Sequence, residues 1–207
     1  NTDKAVAIFS LEMAREQIVT RMLAYEGLVN GKKLLTGNLT EEDWRRIGAA
    51  ATTISRTNMY VDDNPILSVA DMNAACRRIE NLGLVVIDYL QLMTSAGGKQ
   101  KYASESRTQV VSDISRMLKI MAKELNIPVV CLSQLSRASE SRQDKRPQLS
   151  DLRESGSIEQ DADIVMFLYR NSYYDKTDPN VHACECIVAK NRHGEPGTVA
   201  LGWDGEY

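Results

Sequence analysis

The chain contains no stretch of the form G-x-x-x-x-G-K-[S/T]; the one Lys followed by Ser or Thr is Lys176-Thr177, and Asp175 precedes it. The backbone N–H groups and lysine that usually cradle a triphosphate are therefore not among these residues, and the 207-residue chain alone is not expected to turn over ATP. No C-x-x-C is present either. Cys76, Cys131, Cys184 and Cys186, with only His182 and His193 to supplement them, do not read as the four convergent ligands of a zinc site. They read as reduced structural thiols of a cytosolic protein. No apolar run approaches the ~20 residues that span a bilayer, and Asn1-Thr2-Asp3-Lys4 does not open a secretory leader. Methionine is missing from position 1, so the chain is expected to be a piece of something longer. Basic charge is not in excess: 25 Lys and Arg face 28 Asp and Glu, a net −3, so any nucleic-acid contact must come from local loops.

What is present suits one α/β domain: 207 residues, 43% apolar and 26% charged. Residues 5–9 (AVAIF) read as a buried strand. A helix follows, with Ile18, Val19, Met22 and Leu23 on one face and Gly27 and Gly31 marking its end. Thr40 and Ser68 read as N-caps of two further helices, the first with Asp43 three residues on. Strands are expected at 59–61, 84–88, 129–133, 164–169, 184–189 and 198–203. A long amphipathic helix carries Val110, Ile114, Met117, Leu118, Met121 and Leu125 at 3–4 spacing. Polar residues 136–148 read as a loop. Strands apolar on both faces imply a mostly parallel sheet flanked by helices, and the hairpin-like strands at the end imply an antiparallel C-terminal part. An open parallel sheet binds ligands at the carboxyl ends of its strands, so the residues just after each strand matter most.

The first strand leads into Ser10-Leu11-Glu12, where a carboxylate could take a proton from an attacking water; an ordinary early-helix glutamate is the equal alternative. Leu84-Val85-Val86-Ile87-Asp88 has the Walker B pattern, an apolar run that buries the strand and a terminal acid that reaches Mg²⁺ or its water shell. Ser133-Gln134 follows the next strand, and a neutral amide there can sense a γ-phosphate, or simply bond loop backbone. Lys190 and Arg192, one residue apart, point to the same side and suit a pair of phosphate contacts, or an edge decorated with charge. In the polar run 150–163, Gly156 would let backbone N–H groups approach a phosphate, against the plainer reading of a capped helical turn. Loops 94–109 and 136–146 each carry a net +2 and could track a nucleic-acid backbone, or be merely solvated.

Taken in order, FSLEM, LVVIDYLQLM, LSQLSR, DKRPQLSDLRESGSIEQDADIVMFLYR and AKNRHGEPGTVAL resemble the C-terminal motor domain of DnaB-type replicative DNA helicases, nearly end to end. The resemblance implies a RecA-like fold spanning 1–207, with the P-loop strand and helix lying upstream of AVAIFSLEM. It implies ATP and Mg²⁺ as cofactors, with Glu12 as the carboxylate that activates water, Asp88 as the Walker B acid acting on Mg²⁺ through water, and Gln134 as the γ-phosphate sensor. Lys190 and Arg192 would complete a neighbour's site in trans, and Arg153, Glu154 and Gly156 match the loop that holds single-stranded DNA. A homo-hexameric ring in the cytoplasm, moving along single-stranded DNA with a primase and a loader as partners, is implied as well. A RecA-like recombinase or repair ATPase is the alternative, and a non-catalytic ring or interaction module is a third reading.

Overall fold

The computed structural model describes residues 3–93, 107–152 and 156–207. It divides into two compact units, one of Asn1–Thr94, Leu125–Leu132 and Asp204–Tyr207, the other of Ser95–Glu124 and Ser133–Trp203.

The first unit is built on a four-stranded parallel sheet. Its strands are β1 (Ala5–Ser10), β2 (Met59–Asp62), β3 (Leu82–Asp88) and β4 (Val129–Cys131), in the order β2-β1-β3-β4. Helices α1 (Arg15–Gly27), α2 (Gly31–Thr36), α3 (Glu41–Ser55) and α4 (Val69–Cys76) belong to the same unit. The two central strands bury Ala5, Ala7, Phe9, Val85 and Ile87, and Met72 and Cys76 of α4 are buried too. Parallel strands are satisfied on both edges only when they lie centrally, which is why the apolar runs at 5–9 and 84–88 occupy the middle.

Both expected N-caps form. Thr40 Oγ1 accepts the Asp43 N–H at 3.1 Å, and the Asp43 carboxylate accepts the Thr40 N–H at 3.0 Å. Ser68 and Asp71 repeat the arrangement at the start of α4. These reciprocal bonds satisfy N–H groups that a helix start otherwise leaves open. The end of α1 differs from expectation. Gly27 is still helical, and the left-handed residue is Leu28, φ 49°, whose N–H bonds back to the Ala24 and Tyr25 carbonyls.

The second unit holds α5 (Arg107–Leu125, up to Glu124), α6 (Ala138–Ser141), α7 (Gly156–Asp161) and α8 (Asn171–Tyr174). Its strands β5 (Ile164–Tyr169), β6 (Ala183–Asn191) and β7 (Gly197–Gly202) form an antiparallel sheet of their own, in that order. Of the expected stripe the long helix buries Ile114, Leu118 and Met121, with Val110, Met117 and Leu125 half-buried, and it buries Val111 as well. β5 reads as apolar throughout, yet only Val165, Phe167 and Tyr169 are buried. Ile164, Met166 and Leu168 lie on an exposed face, with Leu168, Cys186 and Val199 in one row across the sheet. The continuous apolar run there marks an antiparallel strand with one open face, not a strand covered on both.

Candidate functional site

In the first unit, β1 and β3 run side by side and end together. Ser10 is the Cα partner of Asp88, and the next residue, Leu11, donates its N–H to the Asp88 carbonyl at 2.8 Å. Glu12 follows, exposed, in the bend between β1 and α1. That bend is pinned by Ser10, 1% exposed, whose Oγ donates to the Met13 carbonyl at 2.7 Å and accepts the Met13 N–H at 3.2 Å. Two acids separated in sequence thus stand at the carboxyl ends of neighbouring central strands, the edge where open parallel sheets take their ligands. On the far side of β3, Cys131 pairs with Ile87. Burial pushes the Cys131 thiol up to about 12, and the nearby charge of Asp88 works in the same direction.

Gln134 does not stand at a strand end. The β3–β4 ladder runs out at Ile87–Cys131, so β4 stops short of it, and Gln134 lies exposed in the second unit. Its successor Leu135 forms an antiparallel bridge with Leu152, and the Ser136 N–H donates to the Asp151 carbonyl at 2.8 Å. Arg153 and Glu154 lie outside the described residues. Gly156 opens α7, exposed, with nothing within 4 Å of where a Cβ would stand, so an incoming group has room against its backbone.

Lys190 and Arg192 converge on the other end of α7. Lys190 Nζ donates to the Glu159 carbonyl at 2.5 Å, and Arg192 Nη2 donates to the Gln160 carbonyl at 3.0 Å. The Arg192 N–H bonds the Asp163 carbonyl at 2.8 Å, and its Nη1 lies 3.2 Å from Asp163 Oδ1. Lys119 of α5 pairs with the other oxygen of the same carboxylate. Sequence reading gave Asp163 no role, because its partners Lys119 and Arg192 are distant in the chain and only the hairpin brings the second one back.

Three of the four cations in the basic loop 136–146 are engaged by other groups of the chain. Arg142 grips both oxygens of Asp151 at 2.6 and 2.7 Å, and Asp151 is 2% exposed. Arg146 holds both oxygens of Glu185 and lies over the Tyr169 ring. Lys145 donates to the Glu140 carbonyl at 2.6 Å. These contacts tie the loop to itself and to the rest of its unit. The other basic loop, up to residue 106, lies outside the described residues.

No cluster of three or more His, Cys, Asp or Glu that could hold a metal ion occurs among the described residues. Mg²⁺ in a nucleotide site keeps several waters and takes one or two carboxylates plus phosphate oxygens. Asp88 at its strand end suits such a part. Among the described residues no helix is long and apolar enough to cross a membrane.

A parallel sheet flanked by helices, with two acids just past neighbouring central strands, defines the class of α/β domains that take ligands at the carboxyl edge of the sheet. Comparison makes the class particular. The model of the DnaB-like helicase C-terminal domain matches residues 1–207, and the chain belongs to that family. It is 54% identical to the replicative DNA helicase DnaC of Bacillus subtilis (strain 168), covering all of this chain and 45% of that protein. It is 53% identical to the replicative DNA helicase DnaB of Geobacillus stearothermophilus over the same shares. Among solved structures, a DnaB-like replicative helicase described with its interactions with primase superposes with a TM-score of 0.92 at 43% identity, over 99% of this chain and 51% of that one. A second solved structure, described as an ATPase domain, gives 0.91 at 43% identity, over 99% of this chain and 72% of that one. The chain thus spans a little under half the length of the curated relatives it matches.

Proposed function

We propose that the chain is the greater part of the motor of a replicative DNA helicase, in which ATP hydrolysis drives movement along single-stranded DNA. The two units are read as parts of one RecA-like motor domain whose P-loop lies upstream. The observation that carries this reading is the register of β1 and β3, which sets Glu12 and Asp88 at one sheet edge. Glu12 draws the proton from an attacking water. Asp88 orients the water shell of Mg²⁺, whose charge, when bound, offsets that on the transferring phosphoryl oxygens. Lys190 and Arg192 supply cations to the nucleotide held by the next subunit of a homo-hexameric ring.

Gln134 senses the γ-phosphate, and the Leu135–Leu152 bridge joins its successor to the residue that precedes Arg153. Arg153, Glu154 and the backbone at Gly156 hold the DNA strand. Nucleotide state then moves the DNA-holding loop, which converts hydrolysis into translocation. A primase and a helicase loader are the expected protein partners, and the bacterial or phage-infected cytoplasm the expected location.

The deciding experiment uses the full-length protein. Glu12→Gln should keep nucleotide binding and lose hydrolysis by roughly 10²-fold or more. Arg192→Ala should lose about 10³-fold, the order of an arginine finger. Rings mixed from the two variants contain interfaces where an intact Glu12 meets an intact Arg192, so activity should return. Mixed rings no more active than their parents would overturn the trans assignment.

A further inference from the structure

We infer that Asp163 is a positioning residue for Arg192, fixing where that guanidinium stands relative to α7. The inference rests on the reading of Arg192 as the cation supplied to a neighbouring site. Arg192 lies just past β6, whose last paired residue is Asn191, opposite Ile164. The sheet ladder therefore does not hold it. Asp163, immediately before β5, holds it twice: its carbonyl takes the Arg192 N–H at 2.8 Å, and its carboxylate forms an ion pair with Nη1 at 3.2 Å. With the Gln160 carbonyl on Nη2, two nitrogens of a rigid fork are fixed, and the plane of the guanidinium is set.

The carboxylate is itself held from behind. Lys119 is the more enclosed partner, its side chain 24% exposed against 46% for Arg192. Lys119 chiefly, then Arg192 and His193, keep the Asp163 carboxyl below the usual range, so it stays ionised at neutral pH. Two cations on one carboxylate leave a net positive charge. The guanidinium is oriented without being neutralised, and an arginine has five N–H donors of which these contacts use only part. As a device for stability alone the arrangement would contribute little, since exposed ion pairs are worth about 0–1 kcal/mol. As a device for direction it is effective: an arginine on a turn would otherwise sample many rotamers, and misplacement by about 1 Å can cost a large factor in rate.

The test is made on full-length rings. Asp163→Asn keeps the shape and the backbone carbonyl but removes the charge. We expect ring assembly and the KM for ATP to be unchanged and kcat to fall about 10-fold. The Asp163→Asn/Arg192→Ala double variant should be no slower than Arg192→Ala alone, and mixing Asp163→Asn with Glu12→Gln should restore activity, because the defect lies on the finger's side of the interface. A normal kcat, a loss that adds to that of Arg192→Ala, or failure to complement Glu12→Gln would each overturn the proposal. Full hydrolysis by Arg192→Ala would instead remove the reading beneath it, a distinct result. If Asp163→Asn does not form rings, Asp163→Glu keeps the charge and moves it by one methylene. A severalfold fall in kcat with intact assembly supports the positioning role, and an unchanged kcat overturns it.

Discussion

Leu135 and Leu152 face each other in an antiparallel bridge, and each is next in sequence to a residue with a proposed task, Gln134 before the first and Arg153 after the second. The proposed phosphate sensor and the proposed DNA-holding loop thus each begin one residue from the same backbone contact. In full-length rings, Ser136→Pro removes the N–H that closes this contact on the Asp151 carbonyl. It should bring the stimulation of ATP hydrolysis by single-stranded DNA down to near unity while nucleotide binding persists. Stimulation at the level of the unmodified ring would show that the bridge carries no signal.

Arg153→Ala should weaken single-stranded DNA binding for every sequence and lower the slope of log affinity against log salt by about one unit, as loss of one phosphate contact requires. With Arg142, Lys145 and Arg146 already engaged inside the loop, their replacement should show in stability before it shows in the salt slope. An unaltered slope in Arg153→Ala would move the contact elsewhere.

The Arg142–Asp151 pair makes a pH-dependent contribution whose sign is determined. Arg142 foremost, with the Gln148 N–H, holds the Asp151 carboxyl below its ordinary value. A carboxyl depressed in the folded state stabilises above the unfolded value of about 4 and loses that contribution as pH falls through the folded value. Asp151→Asn should therefore lower stability at pH 7, because the guanidinium loses its charged partner. The gap from the unmodified chain should narrow progressively below about pH 4. Denaturant midpoints measured across pH would show this, and a gap independent of pH would contradict it.

Two thiols should be inert. Burial pushes Cys76 up to about 11 and Cys131 up to about 12, so the nucleophilic thiolate is scarce at neutral pH. Native protein treated with iodoacetamide at about neutral pH should leave both unmodified, and mass spectrometry of peptides locates any label. Rapid labelling of Cys131 would show that β4 opens readily.

The sequence carried much of the fold because its signals are local. Thr40 with Asp43 and Ser68 with Asp71 set helix starts within one turn, and the 84–88 run could only be a buried strand. The sheet edge that brings Ser10 opposite Asp88 was legible once parallel strands were assumed. What escaped depends on pairing across the chain. β4 ends at Cys131 because its ladder partner does, which leaves Gln134 beyond the strand. The apolar composition of β5 does not say that one of its faces is open. Arg142, Arg146 and Lys145 looked available because charge counting cannot see Asp151 or Glu185 folding back onto them.

The proposed sharing of each reaction centre between two chains, acids from one and cations from the next, has a consequence for gene dosage. On the proposed reading each chain takes part in two reaction centres, contributing acids to one and cations to the other. A chain carrying Glu12→Gln and Arg192→Ala together therefore silences two centres, where either single lesion silences one. In randomly mixed rings with independently firing centres, activity should fall in proportion to the intact fraction for a single lesion, and with its square for the double one. A double-lesion copy is then the more dominant allele, by an amount that stoichiometry alone fixes.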